Sequence, residues 1–110
     1  MVERQLTVTV EFATGTNDVW PVVTVSGEVD VETSPVLEER LTSVLDRGLS
    51  SIRIDLADVT FLDSTGLSVL ISGLKRCRAA GGELRLLSPR PNVRKVLEIT
   101  GLTDVFQVSD

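Results

Sequence analysis

The sequence predicts an α/β fold: a small mixed β-sheet with an antiparallel N-terminal hairpin and then parallel strands, packed with about three to four helices. Three observations predict it. The first third of the chain carries two strand-length runs of alternating apolar and polar residues, joined by a short polar connection. Helix-period runs then alternate with apolar strand-length runs, in the order β, β, α, β, α, β, α. A strand–helix–strand unit favours parallel pairing through a right-handed crossover. Finally, 110 residues that are 42% hydrophobic and 25% charged suit one globular domain, residues 1–110, and not a disordered chain.

Each element has its own signals. "QLTVTVEF" sets Leu6, Val8, Val10 and Phe12 against polar neighbours, as a half-buried strand does. "ATGTNDV" is rich in turn formers, and "WPVVTVSGEV" gives the second strand, with Val23 and Val25 in register and Pro21 at its start. In "DVETSPVLEERLTSVLDRG", Ser34 reads as the N-cap and Pro35 as the first helical position. Leu37, Leu41, Val44 and Leu45 recur at helical spacing, and Glu38 and Glu39 suit the positive end of the helix dipole. Gly48 reads as the C′ residue, with Leu49 closing onto Val44.

"SIRIDLADVTFL" gives a third strand with Ile52, Ile54 and Leu56 on one face. A second helix from about Thr65 to Ala80 carries the stripe Leu67, Leu70, Ile71, Leu74 and Cys77. Lys75, Arg76 and Arg78 collect at its C-terminal end as a solvated cationic cluster, and Gly81-Gly82 stops it. "ELRLL" is a fourth strand, and Leu49–Leu56 and Glu83–Leu87 should be parallel neighbours. After "SPRP", a third helix from about Asn92 to Thr100 buries Val93, Val96 and Leu97 and ends at Gly101-Leu102. "DVFQV" adds a last short strand.

Composition narrows the function. The net charge of −5 argues against a sequence-independent hold on a phosphate backbone, so no nucleic-acid partner is expected. One cysteine, Cys77, permits no intrachain disulfide and reads as plain core. The start "MVERQLTVTVEF" has no apolar signal core, and no run, "GLSVLISGL" included, approaches the roughly 20 residues that span a bilayer. A soluble cytoplasmic protein with no membrane partner is expected. With no histidine, every His-based triad and His-ligated metal site is excluded within the chain. There is no tyrosine, and the lysines, Lys75 and Lys95, fall in helices away from the serine discussed next. The expectation is a protein that is not an enzyme, with no metal and no cofactor. Trp20 reads as a partly buried strand-edge residue.

The most informative stretch is "DVTFLDSTGLSVLISGLK", residues 58–75. A strand stops at Asp63 and a helix begins by Leu67, with Ser64, Thr65 and Gly66 between them. The junction lies at the carboxyl end of a parallel strand, the edge where open α/β sheets carry function. Ser, Thr and Asp are ordinary N-cap residues. They also present oxygens to modification, and a helix N-terminus favours an anion placed there. Gly66 reads as a close-packing residue. Local chemistry leaves both uses open.

Taken further, "DVTFLDSTGLSVLISGLKRCRAAGGELRLLSPRPNVRKVLEITGLTDVF" resembles the core of a STAS domain, as found in bacterial anti-sigma factor antagonists. "GEVDVETSP", residues 27–35, resembles that family's G-E-x-D segment at the end of the second strand, and "LEITGLTDVF" resembles its C-terminal helix and last turn. The family motif D-S-[ST]-G-L-G reads D-S-T-G-L-S here, with Ser68 where glycine is usual. The resemblance implies that Ser64 is a phosphoacceptor with Thr65 as fallback, that Asp63 shapes the loop, and that Glu28 and Asp30 belong to a loop near the acceptor. Without the resemblance, the competing reading of Asp30 is a solvated turn residue.

For function, the resemblance implies an anti-sigma factor antagonist. The unphosphorylated form binds an anti-sigma factor, a serine kinase of the histidine-kinase-like ATPase fold, and frees a sigma factor. Phosphorylation of Ser64 switches that binding off, and a metal-dependent serine phosphatase resets it. A competing reading is a STAS scaffold or small-ligand-binding module in a larger signalling assembly that is not switched this way. A serine hydrolase is a third class, and the chain lacks its histidine, its GxSxG turn and an evident base.

Overall fold

The computed structural model describes residues 5–12 and 20–110. The expected turn "ATGTNDV" lies outside the described residues. The elements are β1 (Thr7–Glu11), β2 (Val22–Val29), α1 (Ser34–Leu45), β3 (Ile52–Leu62), α2 (Ser64–Ala79), β4 (Leu84–Leu87), α3 (Pro91–Ile99) and β5 (Gln107–Ser109). The strands form one sheet in the order β1-β2-β3-β4-β5. β1 pairs antiparallel with β2, and every later pair is parallel. This is the mixed sheet expected from the order of elements, with three helices among the described residues.

The core follows from strand alternation. Val23 and Val25 on β2, Ile52, Ile54 and Leu56 on β3, and Leu84 and Leu86 on β4 are all buried. α1 and α2 pack side by side over them. A Cβ at Gly73 of α2 would sit 3.3 Å from Leu84 Cδ1 and 3.5 Å from Leu41 Cδ1, so this small residue lets α2 close down on β4 and α1 together. The buried face of α2 is therefore wider than the single stripe read from the sequence. Val69 and Gly73 are buried as well, and Ile71 is only half-buried. On α3, Val93 and Leu97 are buried, while Val96 is half-buried. Cys77 is fully buried, and burial pushes its thiol pKa up, with Arg76 pulling the other way.

Helix ends match the glycine signals. Gly48, Gly81 and Gly101 adopt φ of +88°, +83° and +73°. At α2, Gly82 N–H donates to Cys77 O (2.8 Å) and Gly81 N–H to Arg78 O (3.0 Å). The same pair of bonds recurs after α3, from Leu102 to Leu97 (2.8 Å) and Gly101 to Glu98 (3.1 Å), so both helices close in a Schellman motif. α1 ends differently, with Gly48 N–H donating to Leu45 O at 3.1 Å.

Two readings are corrected. Ser34 is the first residue of α1 and not its cap. Thr33 holds the cap position, without a side-chain bond to the helix, because its hydroxyl is committed to the preceding loop. The cations at the end of α2 are also not simply solvated. Arg76 pairs with Asp46, and Arg78 donates to Val105 O at 2.9 Å, so they tie α2 to the end of α1 and to the turn before β5. Trp20 is half-buried as expected, held by Arg85 over its ring at 4.6 Å and by Arg53 on its carbonyl at 2.8 Å.

β3 is the longest strand, and it is irregular where the site begins. Its pairing with β2 shifts register between Thr24 and Ser26 and again between Gly27 and Glu28. Each shift places one extra β3 residue opposite β2, which is a β-bulge. The buried positions accordingly step from Leu56 to Val59 to Leu62, by three where an undisturbed strand steps by two. α3 then covers the part of β3 that runs past β4. Arg90 Nε donates to Ala57 O and Asn92 Nδ2 to Thr60 O, both at 2.8 Å, satisfying carbonyls on an otherwise open edge.

Candidate functional site

β2 and β3 end side by side, with Val29 opposite Leu62. Asp30 follows the first and Asp63 the second. Asp63 N–H donates to Val29 O at 3.2 Å, so the two carboxyl ends are tied together just where α1 and α2 depart. The topology therefore brings the two aspartates singled out in the sequence to one edge of the sheet.

At α2, Asp63 is the N-cap. Its backbone is extended (φ −102°, ψ −173°), and its Oδ1 accepts from Thr65 N–H at 2.9 Å and Gly66 N–H at 3.0 Å. Its carbonyl takes the first helical bond, from Leu67 N–H at 2.9 Å. One carboxylate oxygen thus satisfies two of the orphan donors of the helix start. This corrects the expectation that those N–H groups stand free for an incoming anion. It also settles the capping question: neither Ser64 nor Thr65 caps α2. Ser64 is the exposed first residue of the helix, and Thr65 is half-buried. Ser68, which stands where the family motif has glycine, donates its hydroxyl to Ser64 O at 2.9 Å.

Gly66 is required by proximity. A Cβ there would lie 2.6 Å from Val29 Cγ1 and 2.7 Å from Leu62 Cδ1. The first turn of α2 rests directly on the last residues of both strands, which fixes the height at which Ser64 stands above the sheet edge.

At α1 the loop is closed inward. Asp30 is only 4% exposed, so it is not a solvated turn residue. Its Oδ1 accepts from Glu32 N–H (3.0 Å) and Thr33 N–H (3.1 Å) and lies 3.2 Å from the Thr33 hydroxyl. That hydroxyl donates to Glu28 O at 2.7 Å and accepts from Asp30 N–H at 2.9 Å. Asp30 O in turn accepts from Ser34 N–H at 2.8 Å. Glu28 contributes its carbonyl to this latch, and its side chain is exposed. Thr33 was not among the residues singled out from the sequence. A threonine three positions after the aspartate that follows a strand, just before the Ser-Pro that opens a helix, was the available signal.

The edge also carries apolar side chains that the core does not use. Val31 follows Asp30 and is 68% exposed; Phe61, opposite Glu28, is 43% exposed; Val36, in the first turn of α1, is 42% exposed. Exposed apolar residues grouped around a polar loop mark a protein-contact surface more readily than a catalytic pocket. Among the described residues, no group of three or more His, Cys, Asp or Glu side chains is placed to hold a metal ion, and no helix is long and apolar enough to cross a membrane.

Known proteins share this fold. The sequence pattern of the STAS domain matches residues 11–110. A Bacillus subtilis (strain 168) protein named anti-sigma-B factor antagonist is 35% identical over 104 residues, covering 94% of this chain and 93% of that protein. A crystal structure of an anti-sigma factor antagonist from Mycobacterium paratuberculosis superposes with a TM-score of 0.83 at 31% identity, over 96% of this chain and 86% of that one. The anti-sigma factor antagonist SpoIIAA shares the fold at 21% identity. Its unphosphorylated form gives a TM-score of 0.74, over 93% of this chain and 89% of its own. Its phosphorylated form gives 0.68, over 93% and 92%. By the match over residues 11–110 and the identity along nearly its whole length to the Bacillus subtilis antagonist, this chain belongs to the STAS domain family.

Proposed function

We propose that this chain is an anti-sigma factor antagonist, a cytoplasmic protein-binding switch without catalysis of its own. In the unmodified state it binds an anti-sigma factor through the edge around Ser64, and so frees a sigma factor. The partner, a serine kinase with an ATPase of the histidine-kinase-like fold, transfers the γ-phosphoryl group of ATP to Ser64 Oγ, and the complex separates. A metal-dependent serine phosphatase hydrolyses the ester and restores the binding form. Asp63, Thr65, Gly66, Asp30 and Glu28 shape the acceptor edge, and Thr65 is the fallback acceptor.

The single observation that carries this reading is the division of labour at the start of α2. Asp63 does the capping, which leaves Ser64 exposed at a helix N-terminus, while Val31, Val36 and Phe61 stand exposed near the same ends of β2, β3 and α1. The direction of the switch follows from charge. A phosphoryl group adds about −1.5 to −2 charges beside Asp63. Two unit charges 4 Å apart repel by about 4 kcal/mol at an effective dielectric of 20. Within the domain the phosphate can compete with Asp63 for the N–H groups of Thr65 and Gly66 and remain hydrated. Pressed against a partner it loses that hydration, and each 1.4 kcal/mol lost is about tenfold in affinity. The fold survives and the interface fails.

The test is to incubate the purified chain with its cognate anti-sigma kinase and magnesium-ATP, weigh it, and map the modified peptide. A gain of one phosphoryl group on Ser64, with release from the kinase, is the expected result. An unmodified chain that stays bound would instead make the domain a scaffold not switched by phosphate.

A further inference from the structure

We propose a second binding site, for a small organic anion, in the cleft between β1 and the C-terminal half of α1. The cleft has a volume of about 370 Å3, within the range of small-molecule sites. Its lining includes Thr9, Val10 and Phe12 from β1 and the residue after it, and Arg40, Ser43 and Arg47 from α1 and its closing turn. β1 runs antiparallel to β2, so this end of β1 lies beside Val22, the first residue of β2. Ser64 follows the carboxyl ends of β2 and β3, so the cleft lies at the opposite edge of the sheet and is independent of the phosphoacceptor.

The chemistry of the lining selects the ligand. Val10 and Phe12 supply apolar surface, and Phe12 is 38% exposed although it follows a strand whose other large side chains face the core. The Arg47 guanidinium lies 4.5 Å from the centroid of the Phe12 ring. Stacking occupies the flat face of a guanidinium and leaves its edge N–H groups for an acceptor. Arg40 lines the same cleft, with Ser43 one helical turn on. The ion pairs among the described residues are Arg76–Asp46 and Arg94–Asp110, so neither Arg40 nor Arg47 has a carboxylate partner there. In a chain of net charge −5, two arginines that line one cleft with no carboxylate partner among the described residues oppose the overall balance. The helix dipole accounts for a cation at the end of α1, where Arg47 stands. It does not account for Arg40 in mid-helix or for the exposed ring. An acid group between the arginines with an apolar body against Phe12 and Val10 satisfies all of them at once. The ligand class is therefore a carboxylate or phosphate ester on a compact apolar group.

The experiment titrates the isotope-labelled full chain with phenyl phosphate and, separately, with phenylacetate, following backbone amide signals. Inorganic phosphate serves as the charge without the body. We expect at least one of the two organic anions to shift Thr9, Val10, Phe12 and Ser43 saturably, at least about tenfold more tightly than inorganic phosphate. The stronger of the two identifies the acid group. The double variant Arg40→Gln, Arg47→Gln should keep its spectrum and thermal midpoint and bind at least about tenfold more weakly. The proposal is overturned if neither organic anion saturates, if inorganic phosphate binds as tightly, or if the double variant binds like wild type.

Discussion

Two helices leave the same edge of the sheet, and each departs after an aspartate that directly follows a parallel strand. Asp30 and the hydroxyl of Thr33 turn inward, bond to one another's backbone, and are 4% and 3% exposed. Asp63 turns along its helix, caps it, and leaves the neighbouring Ser64 hydroxyl exposed. The residue types are nearly the same: an aspartate, then Ser or Thr, then Pro or Gly within the first turn. The difference is spacing. The hydroxyl that its loop buries stands three positions after Asp30, whereas Asp63 is itself the cap and its loop has no residues to spare. A closed loop of this kind serves as a fixed wall, and an open one as a surface that another protein can reach and modify.

The largest expected effect is on modification. Ser64→Ala should abolish kinase-dependent phosphate uptake while changing stability by less than about 0.5 kcal/mol, the range of ordinary surface substitutions. Phosphate found on Thr65 or Ser68 by peptide mapping would move the acceptor and undo the contrast. The next effect is on the closed loop. Asp30→Ala leaves the buried N–H of Thr33 and the part-buried N–H of Glu32 without their acceptor, and denaturant unfolding should show a loss of about 1–3 kcal/mol.

A charge placed on the open loop tests the contact surface. Ser64→Asp should stay folded, since negative charge suits the start of a helix by about 0.3–1 kcal/mol, enough to offset part of its repulsion by Asp63. Its affinity for the anti-sigma partner should fall at least about tenfold by calorimetric titration at matched salt. Undiminished affinity would put Ser64 outside the interface. Asp63→Ala removes a cap at a half-buried site, with an expected cost of about 1 kcal/mol. If it costs more than Asp30→Ala, the assignment of the two loops as open and closed is reversed.

The smallest effect comes from the core at the far end of α2. Burial raises the Cys77 pKa, so the native thiol stays protonated where the unfolded one ionises, from about pH 8.5. Stability from this group is complete below the unfolded pKa and is lost as pH rises toward the folded one. The loss is at most about 1.4 kcal/mol per pH unit. Cys77→Ser should remove that alkaline slope, as read from unfolding curves at successive pH values.

Much of this was legible beforehand because it rests on local periodicity. The pattern of Val23, Val25, Ile52, Ile54, Leu84 and Leu86 gives strands at any level of reading, and three glycines punctuate three helices. The bulges of β3 were visible in principle, since Leu56, Val59 and Leu62 break the two-residue step. They went unread because a five-residue alternation already explained the strand. Val69 and Gly73 were missed because a stripe drawn for one contact is too narrow for a helix that touches both a sheet and another helix. The exposure of Val31, Val36 and Phe61 carries no periodic signal at all.

By itself the sequence determined the order of elements, the antiparallel start and parallel continuation of the sheet, and the segment "DSTG" at a strand–helix junction. It did so because those features depend on residues within a few positions of one another. Tertiary structure alone decided that Asp63 rather than Ser64 caps α2, that Asp30 is buried, and that Arg40 and Arg47 line one cleft with Phe12. Aspartate, serine and threonine all carry an acceptor at similar reach of a helix N-terminus, so local chemistry leaves the choice degenerate. The close seating of Gly66 on Val29 and Leu62, residues 33 positions apart on neighbouring strands, sets how α2 departs and hence which oxygen meets its N–H groups.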